Sequence, residues 1–433
     1  MLSVIAFLVL VGILVLVHEF GHFLMAKLFR VRVEVFSIGF GPPIFSKRIG
    51  ETVYQIASIP LGGYVKLYGE EESINDPEAF SSKKPWQKIL IAFGGPLFNF
   101  ILTILLFTVV FTVGVNVAKY LKEPAIVGYV EKNSWAEKVG LKPGDKIVKI
   151  NGYEINKWEE LNDALLKVSL EGKKEVYLYI EREGKVLALE ALLPQLKTGR
   201  ENLGIAPYIP PVVGRVVKNS PAQQVGLMPG DEILEANGRK VGSWYELVEI
   251  VRENKGKPIK LKVKRGDQIF EVSVIPAENP ETRQPFIGVS PKIETVKVSY
   301  PPFESFKLAV ERTKELTILT YKAVVGIITG EISFRTLGGP IAIAQFAGEA
   351  AESGIIPFLS TMAFISLQLA IFNLFPLPIL DGGLILLFLV EWIRGRPLPE
   401  KFKETWQKVG LALILTLMVF VFINDILRLF GIN

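Results

Sequence analysis

The chain has 433 residues, enough for several domains, and its 49% hydrophobic content and mean hydropathy of +0.35 exceed those of an ordinary soluble protein. Its 21% charged residues are too many for an all-membrane chain, so part of it reads as bilayer and part as aqueous domain. The net charge of +5 is small and diffuse, which argues against nucleic acid as a partner, and the absence of cysteine excludes disulfides and thiolate metal sites.

In chain order, residues 2–17 carry no charge and the next cation is Lys27, so 1–30 reads as a first transmembrane helix. It reads as a retained span, not a cleaved signal. Met1-Leu2-Ser3 offers no basic residue, and Phe23-Leu24-Met25-Ala26 lacks a small-residue cleavage pattern. Residues 31–87 hold two strand-like runs, "VEVFSIGFGPPIF" and "ETVYQIASIPLGGYVKL", with Gly/Pro turns, and read as a membrane-associated β region. A second span covers 88–118, with no ionisable residue from Ile89 to Ala118. Residues 300–352 include "FESFKLAVERTKELTILTYKAVVGII" (303–328), an amphipathic, membrane-proximal helix that either lies on a surface or packs into the protein. A third apolar region, 355–392, is interrupted at "NLFPLPILDGG", where Pro376 and Pro378 cannot continue a helix. A helix broken at membrane depth needs protein or a water-filled cavity around it, so the break is a candidate site. The fourth span is 409–430.

The short connections set the orientation. Lys27, Arg30, Arg32, Lys47, Arg48, Lys66, Lys83, Lys84 and Lys88 lie between the first two spans, and Arg394, Arg396, Lys401, Lys403 and Lys408 between the last two. The positive-inside rule puts both connections, and the β region, on the cytoplasmic side. Both termini and the long segment between spans two and three are then extracytoplasmic. That segment repeats itself: "VGYVEKNSWAEKVGLKPGDKIVKING" (127–152) aligns without a gap to "VGRVVKNSPAQQVGLMPGDEILEANG" (213–238). Two tandem strand-rich domains follow, at 122–207 and 208–291. Their shared "GLxPGDxIxxxNG" core resembles bacterial PDZ domains, which implies a groove for extended peptide ligands. The expected architecture is a multi-pass α-helical membrane protein with about four transmembrane helices, a membrane-associated β region and two tandem extracytoplasmic PDZ domains.

The chemistry concentrates in the first span. His18-Glu19-Phe20-Gly21-His22 contains both histidines of the chain, one helical turn apart on one face, with Glu19 beside them. This spacing suits two imidazole ligands to one Zn²⁺ and a carboxylate next to its water. Histidines satisfied by packing are the bland alternative, but intramembrane ionisable groups are costly and mark function by default. A third protein ligand has to be a carboxylate, since no further His or Cys exists. Glu34 and Glu51 are candidates, and Asp381 is the better one. His18 lies about 26 Å into a span entering from outside, and about 20 helical residues bring the third span to its break. Both positions fall toward the cytoplasmic side of the membrane.

These residues, together with "GPLFN" (95–99), "GGPIAI" (338–343) and "NLFPLPILDG" (373–382), resemble the site-2 protease family of intramembrane zinc metalloproteases, in its bacterial branch with two PDZ domains. The resemblance spans essentially the whole chain. It implies one zinc ion on His18, His22 and Asp381, Glu19 as general base, and Asn373 as a residue that helps hold the substrate. It implies hydrolysis within transmembrane segments of single-span proteins, such as anti-sigma factors or signal-peptide remnants, after a first cut outside. The location implied is the bacterial inner membrane. Two other classes stay open on the residues alone. A non-catalytic PDZ scaffold would hold no zinc, and a transporter would show paired helix breaks in two related halves.

Overall fold

A computed structural model describes residues 2–70, 74–170, 175–192, 203–279, 283–330, 332–333 and 338–429. Parts of the expected segments lie outside the described residues: residue 1, 71–73 in the β region, 171–174, 193–202 and 280–282 in the repeats, 331 and 334–337 in the amphipathic region, and 430 in the fourth span. The chain divides into two units, Met1–Val115 with Val298–Asn433, and Asn116–Lys297.

In the first unit, helix α1 (Leu2–Leu28) leads into two long strands, β1 (Val33–Ile49) and β2 (Thr52–Leu67), and then helix α2 (Pro85–Val113). The strands fold back on one another, so Phe36 is paired with both Val65 and Tyr54, and Ser37 with both Tyr64 and Gln55. Gly39, Gly41 and Gly62 take the positive φ values that such reversals require. Helices α1 and α2 cross at bare backbone. A Cβ on Gly21 would strike the Gly94 carbonyl, and one on Gly94 would lie 2.6 Å from the Gly21 carbonyl oxygen. Small residues at such a crossing replace the hydrophobic drive that lipid cannot supply.

The second unit holds the repeats, whose helices are α3 (Trp135–Val139) and α4 (Trp158–Leu170), then α5 (Pro221–Gln224) and α6 (Trp244–Glu253). Each repeat carries a four-stranded sheet, in the order 153–154, 146–150, 175–182, 185–192 in the first and 239–240, 232–236, 259–265, 268–274 in the second. Ile147, Leu161, Leu178 and Ile180 fill the first core, with Ile233, Leu247, Ile259 and Leu261 in the second. Each such side chain contributes about 2 kcal/mol by burial. The Asp of each "PGD" is pinned alike. Arg182 donates to Asp145 at 2.6 and 2.8 Å, and Arg265 to Asp231 at 2.7 and 2.8 Å. Tyr129 of the first repeat stacks on Tyr245 of the second with ring centroids 5.0 Å apart, and its hydroxyl donates to Glu249 at 2.6 Å.

The chain returns to the first unit through α7 (Pro302–Ile328), α8 (Pro340–Ser353), α9 (Ile355–Asn373), α10 (Asp381–Arg394) and α11 (Glu400–Leu429). Among the described residues, four helices are long and apolar enough to cross a membrane: Leu2–Leu28, Pro85–Val113, Ile355–Asn373 and Lys401–Leu427. Helix α7 is a packing helix. Its Ala309 and Leu316 join Phe107 of α2 and Ala363, Leu367 and Ile371 of α9 in one cluster, and Thr320 bonds Gln368. Between α9 and α10 the backbone makes a tight turn. Side chains on Gly382 or Gly383 would strike the carbonyls of Leu374, Phe375 and Leu377. Ile379 in this turn has φ +78°, a conformation that costs a β-branched residue of order 1–3 kcal/mol. Buried Glu391 closes the corner to α11, accepting from Lys403 Nζ at 2.7 Å and the Leu398 amide at 3.0 Å.

Candidate metal centre

The turn that ends at Leu380 delivers Asp381 to the start of α10, and the α1–α2 crossing delivers the imidazoles. Three ligand atoms converge there. His18 Nε2 lies 3.3 Å from His22 Nε2 and 3.1 Å from Asp381 Oδ2, while His22 Nε2 lies 3.4 Å from Asp381 Oδ1. A tetrahedral zinc with bonds of about 2.0–2.1 Å has ligand–ligand edges of about 3.3 Å. The three separations match that figure, with each imidazole facing a different oxygen of the Asp381 carboxylate. Among the described residues this is the one group of three His, Cys, Asp or Glu side chains whose ligand atoms lie within 4.8 Å of one another.

Two further observations fit a cation. Asp381 Oδ2 is buried with no hydrogen-bond partner among the described residues, although it faces His18. A Cβ on Gly95 of α2 would lie 2.6 Å from His18 Nε2 and closer still to His22 Nε2, so the absent side chain leaves space where these nitrogens point. The His22 ring is held in an orientation that suits ligation. Its Nδ1 lies 2.9 Å from the Ile91 carbonyl oxygen, which can only accept, so Nδ1 carries a proton and the neutral ring keeps its lone pair on Nε2.

Glu19 is half-buried beside the imidazoles and lies against β2. A Cβ on Gly63 would lie 3.1 Å from Glu19 Cγ, and the Val65 backbone faces the carboxylate. Asn373 closes α9, partly buried, and makes no side-chain hydrogen bond among the described residues. The other two candidate carboxylates are elsewhere: Glu34 is half-buried and pairs with Lys66 at 3.5 Å, and Glu51 is exposed in the β1–β2 turn. Two residues of the site lie in the quoted "GPLFN" stretch (95–99) but were given no role from the sequence. Gly95 provides its space, and fully buried Asn99 places Nδ2 3.1 Å from His18 Nδ1. The motif marks both, and Asn99 is marked further as a polar residue in an apolar span.

Residues 6–417 match the model of Peptidase family M50. The chain is 35% identical to the Regulator of sigma E protease of Haemophilus influenzae, with 98% of each chain covered. It is also 35% identical to the Regulator of sigma-E protease RseP of Escherichia coli K12, again with 98% of each covered. Among solved structures, a PDZ domain of the SdrC-like protein (Lmo2051) from Listeria monocytogenes aligns at 26% identity with 20% of this chain and 90% of that one, at a TM-score of 0.18. With the family model and the full-length relatives in agreement, the chain belongs to Peptidase family M50.

Proposed function

We propose that this metalloprotease holds one zinc ion on His18, His22 and Asp381 and hydrolyses peptide bonds within transmembrane segments of single-span membrane proteins. The observation that carries the reading is the convergence of the two imidazole Nε2 atoms and the Asp381 carboxylate, at 3.1–3.4 Å, around the space left by Gly95. Zinc held there supplies a Lewis acid for the scissile carbonyl and makes water a nucleophile near neutral pH. Glu19 takes the proton of the attacking water and passes it to the leaving amine. A transmembrane helix hides its carbonyls in its own hydrogen bonds, so the substrate must unwind before it reacts. Residues 63–67 of β2, paired on one side with 33–38 of β1, run past Glu19 and offer an edge to an unwound strand. Asn373, next to the turn that carries Asp381, bonds the freed substrate backbone.

The relatives are named for regulating sigma E, so anti-sigma factors, already trimmed outside, are the substrate class favoured for this chain. The protein sits in the bacterial inner membrane with both termini and the repeats outside and the metal centre toward the cytoplasm, as the basic connections require. The repeats are two PDZ domains. Metal analysis of the purified full-length chain tests the reading, together with cleavage of a model single-span substrate before and after removal of zinc by a chelator. One zinc per chain and chelator-sensitive cleavage inside the substrate span are expected. Chelator-resistant cleavage, or a metal-free active protein, would overturn it.

A further inference from the structure

Asn99 sits on α2 in contact with a proposed ligand, with both ends of its amide enclosed. Its side chain is fully buried, its Nδ2 lies 3.1 Å from His18 Nδ1, and its Oδ1 has no hydrogen-bond partner among the described residues. Its backbone is held from two sides. The Asn99 carbonyl accepts from Thr103 Oγ1 at 2.9 Å and from Ser366 Oγ of α9 at 3.0 Å. An asparagine this well anchored in an apolar span carries a cost that ordinary packing does not require.

The amide has two arrangements of equal shape, related by a half-turn about χ2. In one, Nδ2–H donates to His18 Nδ1; a neutral imidazole then carries its proton on Nε2, the nitrogen that faces His22 and Asp381, and cannot ligate through it. In the other, Oδ1 gains a donor in His18 Nδ1–H and Nε2 is bare. Zinc ligation through both Nε2 atoms admits only the second. The Ile91 carbonyl already does the same for His22.

Resting on the zinc reading above, we propose that Asn99 is a positioning residue of the metal centre: its Oδ1 accepts from His18 Nδ1–H and so fixes the tautomer and ring plane that aim Nε2 at the zinc. One helix, α2, then orients both histidine ligands of α1, through Ile91 for His22 and Asn99 for His18. Partners of this kind typically change metal affinity 10–100-fold when lost.

The test uses the full-length protein and zinc itself. Because the chain has two histidines, ¹⁵N-histidine labelling reports both rings without ambiguity. Zinc-loaded wild type should show both rings protonated at Nδ1 and bound through Nε2; His18 bound through Nδ1 would overturn the proposal. Zinc affinity, measured by chelator competition, should fall about 10–100-fold in Asn99→Leu, which keeps the volume and loses the acceptor. Asn99→Asp keeps an acceptor and loses the donor, so it should bind as wild type does. Wild-type affinity in Asn99→Leu, or equal losses in both variants, would overturn the proposal while leaving the zinc reading intact. A wild-type protein without zinc affinity would overturn both.

Discussion

Gly95 of α2 and His18 of α1 meet so closely that a Cβ on the glycine would lie 2.6 Å from the imidazole Nε2. The missing methyl is therefore part of the proposed metal centre. Gly95→Ala should lower zinc affinity by roughly tenfold or more, as loss of ligand positioning does, and lower proteolysis with it. Helix formation itself gains about 1 kcal/mol from Gly→Ala, so the loss cannot come from fraying. Gly12→Ala, on the same helix as His18 and with nothing within 4 Å of its Cβ, should leave affinity unchanged. Chelator competition on the two variants checks this, and equal affinities would show that the space is not used.

Glu19→Gln should keep zinc and lose proteolysis by about 10²–10⁴-fold, because an amide cannot accept the proton while the three proposed ligands remain. Zinc content and cleavage of a single-span substrate, measured on the same preparation, separate the two effects. Near-normal cleavage would remove Glu19 from the chemistry.

Asp381→Asn should lose zinc as well as activity, since a neutral amide is a poor third ligand. Glu34→Gln, at a half-buried position paired with Lys66, and Glu51→Gln, at an exposed turn, should keep both. Metal content of the three variants is the measurement. Zinc retained in Asp381→Asn would place the third ligand elsewhere.

The sequence shows parts of this site and hides others for a physical reason. His18 and His22 share a face because both lie on one helix, whose period is known in advance. Asp381 is reachable by depth, since the basic connections make both spans enter from the same expected side and their residues can be counted. Asn99 and Gly95 stand in the legible "GPLFN" stretch, but their roles are hidden, because which way they face depends on how α1 and α2 cross, and Gly21 and Gly94 set that crossing. Helix α7 is similar: its pattern fits a surface helix or a packing helix, and contacts of Ala309 and Leu316 with α2 and α9 decide between them. The strand runs at 33–49 and 52–67 are legible as strands, but their doubled pairing at Phe36 and Ser37 is not.

The repeats should lose stability in acid. Burial raises the Asp145 carboxyl, but the Arg182 guanidinium and the Lys142 amide outweigh it and hold it below the usual carboxylate range. Asp231 behaves alike with Arg265 and the Met228 amide. A carboxylate depressed in the folded state contributes stability above its unfolded value of about 3.9 and loses it as pH falls through the lower folded value. Limited proteolysis of the full chain should therefore show the repeats opening below about pH 4. Asp145→Asn should weaken that dependence in the first repeat while lowering stability at neutral pH by about 2 kcal/mol, through its lost charged hydrogen bonds. A pH profile identical to wild type would show that Asp145 does not carry the effect.

The repeats should also act as a filter ahead of the chemistry, not as part of it. The proposed ligands, Glu19 and Asn373 all belong to the unit formed by Met1–Val115 and Val298–Asn433. The repeats sit in the other unit, and its two ends meet. The strand at 115–118 pairs with that at 295–298, and the Lys119 amide donates to the Glu294 carbonyl at 2.8 Å. Residues 122–291 can therefore be replaced by a short linker between neighbouring backbone positions. The deletion variant should bind zinc and cleave a single-span substrate whose outer domain has been removed, at a rate close to that of the full chain. It should differ on the untrimmed substrate, which the bulky repeats, on the proposed outer side of the membrane, would obstruct. Full-length protein should leave that substrate intact, and the deletion variant should cut it. The comparison needs both enzymes, both substrate forms and a zinc measurement on each preparation. A zinc-loaded deletion variant that cuts trimmed substrate and still rejects the untrimmed one would place the selectivity in the membrane unit itself, beside the β2 edge, and not in the repeats.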